Sequence, residues 1–185
     1  MEYTAPPYAF PAQYAVLGLL ADHPGHGYEL RERVKAGLGE VWHIALSQLY
    51  SVLRRLESEG LVEGVREEPE GRPARTVYQT TETGERAFLS WATAPVEHVR
   101  DLRVELFAKV YLLRRVAPQR VEQLVSGQIR MLESMQRGLE KRKCLATDDA
   151  HLSALTLDYR RAQVAGTLEW LRRRKDELIC QEDVT

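Results

Sequence analysis

Cysteine is scarce in this chain of 185 residues, with only Cys144 and Cys180 present. If the last two helical segments run antiparallel, these two lie at opposite ends of a hairpin, roughly 40 Å or more apart at 1.5 Å per residue. A disulfide within one chain is then excluded by geometry, and free thiols in a reducing cytoplasm are expected. No run of 18 apolar residues occurs, so no membrane span is expected. Met1 to Pro11 has neither a basic start nor a long apolar stretch, and its prolines and tyrosines read as a flexible arm. Catalytic signatures are missing too. The acids and histidines show no catalytic spacing, no glycine-rich phosphate loop is present, and the cysteines lack a partnered histidine, so neither an enzyme nor a cofactor is expected. His23 and His26 come nearest to a metal pair, but Pro24 and Gly25 place them in a turn without a third ligand, and no metal is expected. Positive charge is short in the first half. Residues 1–92 hold nine Lys/Arg against thirteen Asp/Glu, a net of −4, while residues 93–185 hold seventeen against fourteen, a net of +3. Strong general binding of nucleic acid is therefore not expected.

What is present centres on Ser47 to Glu59. At 100° per residue Leu49, Val52, Leu53 and Leu56 form one apolar stripe. The opposite side carries Ser47, Ser51, Arg54 and Ser58, flanked by Tyr50 and Arg55. A narrow face of short donors with a central arginine suits a DNA major groove, where small residues permit close approach and arginine reads guanine or holds phosphate. An ordinary surface helix is the alternative for this segment taken alone. Upstream, Gln13 to Ala21 is a compact apolar segment, and a second helix runs from about Gly27 to Ala36 with Tyr28, Leu30 and Val34 inward, ended by Gly37-Leu38-Gly39. Three short helices with glycine-containing breaks match a helix-turn-helix. Downstream, Leu61–Glu67 and Thr76–Thr81 read as two strands around a Pro- and Gly-bearing loop, which makes a wing. Arg72 and Arg75 in that loop are candidates for a minor groove or flanking phosphates, against the alternative of a solvated hairpin. Thr81 caps the following helix, with Glu82 and Glu85 in its first turn.

Several stretches in this order closely resemble the PadR family of bacterial transcriptional regulators. They are Ala15-Val16-Leu17-Gly18-Leu19-Leu20, His26-Gly27-Tyr28-Glu29-Leu30, Leu49-Tyr50 with Leu53-Arg54-Arg55-Leu56-Glu57-Ser58-Glu59-Gly60-Leu61, Gly71-Arg72-Pro73, Tyr78 and Thr81-Glu82-Thr83-Gly84. The resemblance covers about residues 12 to 90. The second half is similar in helical layout to the branch of the family with a long C-terminal extension. One departure stands out: the family run Pro-Gly-Ser-Leu-Tyr-Pro is replaced by Leu46-Ser47-Gln48-Leu49-Tyr50-Ser51, which starts the third helix earlier and bears on base preference at Gln48 and Ser51. The resemblance implies a DNA-binding regulator, and the residues expected at the DNA are Tyr28, Ser47, Gln48, Tyr50, Ser51, Arg54, Arg55, Arg72 and Arg75, although Tyr50 also reads as a half-buried packing residue. It also implies that some members release DNA on binding phenolic or other aromatic compounds.

The expected fold is mainly α: a flexible arm (1–11), a winged helix-turn-helix of three helices and a two-stranded wing (12–92), and a C-terminal helical dimerisation domain (93–185). Leu102, Leu106, Val110 and Leu113 mark a helix ending near Val116, and Pro118 opens the next, with Val121, Leu124, Val125, Leu132, Met135 and Leu139. A last helix from about Ala150 to Leu178 bears two stripes: Leu157, Val164, Leu168, Leu171 and Leu178, and beside them Leu152, Leu155, Tyr159, Ala162 and Gly166. Two stripes imply two partners, one the chain itself and one a second subunit; Leu157, Val164, Leu168, Leu171 and Leu178 are the residues assigned to dimerisation, against a thicker monomeric bundle. Trp91 and Trp170 are candidates to line an effector cavity between the halves, against both being core or interface anchors. The function expected is a dimeric repressor on a near-palindromic operator, released by a small aromatic ligand. A winged-helix module for protein–protein contact is the other reading, and the acidic first half is the feature that favours it.

Overall fold

The computed structural model describes residues 11–68, 74–142 and 150–180. Helix α1 (Ala12–Asp22) buries Ala15 to Leu20 without a break, so it has no solvent face along its middle and runs through the centre of the first half. Helix α2 (Gly27–Leu38) starts at a reciprocal cap: the His26 side chain accepts from the Glu29 N–H while the Glu29 carboxylate accepts from the His26 N–H. It buries Leu30, Val34 and Leu38. Helix α3 (Leu46–Ser58) buries Leu49, Leu53 and Leu56, with Val52 half-buried at the stripe's edge. The chain leaves α3 through Gly60 at φ +69, the left-handed conformation that glycine adopts without a Cβ penalty.

Strands β1 (Val62–Glu67) and β2 (Arg75–Thr80) pair antiparallel, with Val62 opposite Thr80 and Glu67 opposite Arg75. On the far side of β2, Tyr78 exchanges two backbone hydrogen bonds with Gly25, both 3.0 Å, tying the α1–α2 turn to the wing. Helix α4 (Glu82–Thr93) is capped as expected: the Thr81 hydroxyl accepts from the Gly84 N–H at 3.1 Å.

A 3-10 turn (Val99–Asp101) leads into α5 (Leu102–Val116), and a second turn (Pro118–Arg120) leads into α6 (Val121–Glu140). Helices α7 (Ala150–Arg173) and α8 (Lys175–Ile179) follow. The apolar core continues across the expected boundary at residue 92, because α5 lies directly on α1. Gly18 marks the crossing: a Cβ there would stand 2.5 Å from the Phe88 ring and 2.9 Å from a Leu112 methyl. Gln128, fully buried on α6, accepts from the Val96 N–H (2.6 Å) and donates to the Val96 carbonyl (3.1 Å), which fixes the strap between α4 and α5.

Two expectations for the last helix need correction. It is not continuous to Leu178 but breaks at Arg174, because the Arg114 guanidinium donates to the carbonyls of Glu177, Leu178 and Cys180 and draws the final turn onto α5. The stripe assigned to dimerisation is also spent within the chain. Val164, Leu168, Leu171 and Leu178 are buried in the monomer's own core and Leu157 is half-buried against it. The neighbouring stripe is the one left open, with Leu152 58%, Leu155 52% and Tyr159 62% exposed. Among the described residues no helix is long and apolar enough to cross a membrane.

Candidate nucleic-acid interface

With Leu49, Leu53 and Leu56 anchored in the core, the helical period turns Ser47, Gln48, Ser51, Arg54, Arg55 and Ser58 outward, and all are exposed. Ser51 donates to the Ser47 carbonyl (3.0 Å), and Arg54 donates to the Ser51 hydroxyl (3.3 Å), so the arginine lies back along the N-terminal half of the helix. Arg54 has no carboxylate partner among the described residues. Arg55 differs: its guanidinium is 2.8 Å from Glu59, one turn on. Both carry the same charge, but that of Arg55 is partly offset by Glu59 while that of Arg54 is not, and the sequence alone did not separate them.

Tyr50 packs against the start of α2, where a Cβ on Gly27 would come within 2.7 Å of its ring, yet the residue keeps 38% of its surface exposed. It has both characters, packing and display. Tyr28 corrects the inward reading of α2: it is 53% exposed, with the Arg31 guanidinium 5.0 Å from its ring centre, because Leu30, Val34 and Leu38 already fill the buried side. Tyr28 is thus a surface residue.

The wing also differs from expectation. Arg72 lies outside the described residues. Arg75 is not in the loop but opens β2, and its Nε and Nη2 both donate to the Glu67 carboxylate at 3.1 Å. Arg66 is likewise 3.1 Å from Glu68. Each described wing arginine is thus matched by a glutamate, and the cross-strand pairing of Glu67 with Arg75 explains the shift.

Arg33 was overlooked. Its guanidinium donates to the carbonyls of Leu19 (3.0 Å), His23 (2.8 Å) and Pro24 (2.9 Å), so it satisfies the end of α1 and holds the turn that orients α2 against α1. An arginine about two helical turns after a Pro-Gly break was the available signal.

The two tryptophans sit in different surroundings. Trp91 is half-buried between α1 and α5, stacked on Tyr14 with centroids 5.6 Å apart. Trp170 meets Phe107 edge-on at 5.8 Å and borders an apolar cleft of about 330 Å³ with Leu102 and Leu106. Among the described residues no group of His, Cys, Asp and Glu could hold a metal ion.

The sequence pattern of the transcriptional regulator PadR-like family matches residues 16–90. The chain is 26% identical over 142 residues to the probable transcriptional regulator Rv1176c of Mycobacterium tuberculosis, covering 70% of this chain and 75% of that one. It is 25% identical over 133 residues to the negative transcriptional regulator PadR of Bacillus subtilis, covering 70% and 73%. The crystal structure of Bacillus subtilis PadR in complex with operator DNA is 20% identical, covers 88% of this chain and 97% of that chain, and superposes with a TM-score of 0.47.

Proposed function

Since this chain belongs to the PadR-like family of transcriptional regulators, we propose that it is a dimeric repressor that reads a near-palindromic operator with α3. The observation that carries the reading is the outer face of α3: three serines, Gln48 and an uncommitted Arg54 on a helix locked to the core by three leucines. Short side chains bring the backbone close to base edges, and Arg54 supplies the long donor. Tyr28 and Tyr50 flank that face. With the described wing arginines paired to glutamates, α3 is the principal DNA-reading element.

The second subunit docks on the open stripe of α7, Leu152, Leu155 and Tyr159, where Ala162 and Gly166 allow close helix approach. Two-fold symmetry then sets the recognition helices about 34–36 Å apart. The cleft at Phe107 and Trp170 suits a small aromatic effector whose binding shifts that spacing. The acidic balance of residues 1–92 favours a second reading, a winged-helix surface for protein contact. A gel-shift with DNA upstream of the protein's own gene separates the two. A retarded band that competing non-specific DNA does not remove supports the repressor, and no band with either DNA removes it.

A further inference from the structure

The least expected side chain in the core is Lys109, at 1% exposure among leucines and valines of α5. Its ammonium is satisfied at the junction of three helices. Nζ stands 2.8 Å from Glu105 and 2.8 Å from the Ala94 carbonyl at the end of α4, and 5.0 Å from the centre of the Trp91 ring. The same Glu105 oxygen accepts from the Trp91 indole N–H at 3.1 Å, and Trp91 is stacked on Tyr14 of α1. Burial pushes the Lys109 ammonium below its ordinary pKa, while Glu105 opposes that fall. Packed apolar residues could fill this volume with equal or greater stability, since desolvating two charges offsets much of their attraction. Directional bonds do something leucines cannot: they accept one relative placement of α4 and α5 and penalise others.

We propose that Glu105 and Lys109 are positioning residues that set the angle between the DNA-binding helices and the C-terminal helices. The geometry supports this directly. Trp91 lies in the last turn of the helix that follows the wing, Ala94 is that helix's C-cap, and α5 carries the chain towards α7, the helix proposed above to meet the second subunit. In a two-fold dimer that angle fixes the separation of the two recognition helices, so the inference rests on the reading of α3 as the DNA-reading element.

The test uses the full chain with Cys144→Ser and Cys180→Ser, spin-labelled at Ser58→Cys on α3 and Glu169→Cys on α7, and diluted into unlabelled protein. Pulsed electron resonance reads the distance between them. Glu105→Gln with Lys109→Met removes both charges and leaves Trp91 its acceptor. One narrow distance distribution is expected in the parent, and a broadened or displaced one in the double variant at a comparable melting temperature. With both proteins carrying neither cysteine substitutions nor label, binding to a paired operator selected from random DNA should fall on the order of tenfold in the double variant while binding to one half-site is unchanged. An unaltered distance distribution in the folded variant overturns the proposal. Equal losses on half and paired sites do so as well. If the double variant does not fold, Glu105→Gln alone is read in the same way. The distance measurement needs no DNA, so a chain that binds no operator overturns the proposed function and leaves this result standing.

Discussion

The Arg115 guanidinium lies 2.6 Å from the Asp22 carboxylate and thereby joins the last turn of α1 to α5. Burial alone would raise the Asp22 pKa, but hydrogen bonds from Arg115 and His23 outweigh it and hold the carboxyl below its ordinary 3.8. A depressed carboxylate pKa contributes stability that is complete above the unfolded value and lost as pH falls through the folded one. Urea unfolding of the parent should therefore weaken from about pH 4 downward more steeply than that of Asp22→Asn. At pH 7 the substitution should cost on the order of 1 kcal/mol, since Arg115 is partly exposed and solvent screens the pair. Parallel pH curves for the two proteins would show that the tie contributes nothing.

Arg54→Ala should cost about 1–3 kcal/mol in operator binding without changing the melting temperature, because among the described residues its side chain hydrogen-bonds Ser51 on the same exposed face and faces no carboxylate. Arg55→Ala should cost less, since its guanidinium already faces Glu59. A fluorescence-anisotropy titration of both variants at two salt concentrations checks the order. Equal losses would mean that the two arginines act only as phosphate charges.

Two glycines should respond in opposite senses to the same substitution. Gly18→Ala drives a methyl into the Phe88 ring and should destabilise by about 1–3 kcal/mol. Gly138→Ala on α6 meets nothing within 4 Å and should stabilise by about 0.5–1 kcal/mol through helix propensity. Thermal unfolding of both proteins reads the signs.

Leu155→Glu combined with Tyr159→Glu should give a folded monomer by sedimentation, because both side chains are exposed and unneeded by the core. Removing residues 150–185 is the poorer test. It would strip Val164, Leu168 and Leu171 from the monomer's own interior and confuse misfolding with dissociation. A double variant that still sediments as a dimer would move the interface elsewhere.

Periodicity made the first half legible. The helices containing Leu17, Leu30 and Leu53 end within two residues of the expected limits, since an apolar period and a glycine or proline break are local signals. The Thr81 cap was legible for the same reason. What escaped depended on distant partners. Nothing near Arg174 announces a helix break, because the group that stabilises it, Arg114, is 63 to 66 residues away in sequence from the carbonyls it holds. Lys109 falls on the buried side of α5, but only Glu105 and the end of α4 reveal why a charge is tolerated there. In the candidate site the outward face of α3 was readable. Arg75 was not, because strand register decides which glutamate it meets.

The pair of hydrogen bonds between Gly25 and Tyr78 also has a bearing on solubility. A two-stranded ribbon offers unpaired amides and carbonyls along its outer rims, and such rims template strand addition between molecules. Here the outer rim of β2 is occupied at its middle by a piece of the chain's own turn. The free stretch on either side is too short to seed an intermolecular sheet. A side chain at Gly25 would run into the Arg33 guanidinium and push the turn off β2: that would uncover a sticky rim, and the first symptom would be aggregation on concentration or mild heating.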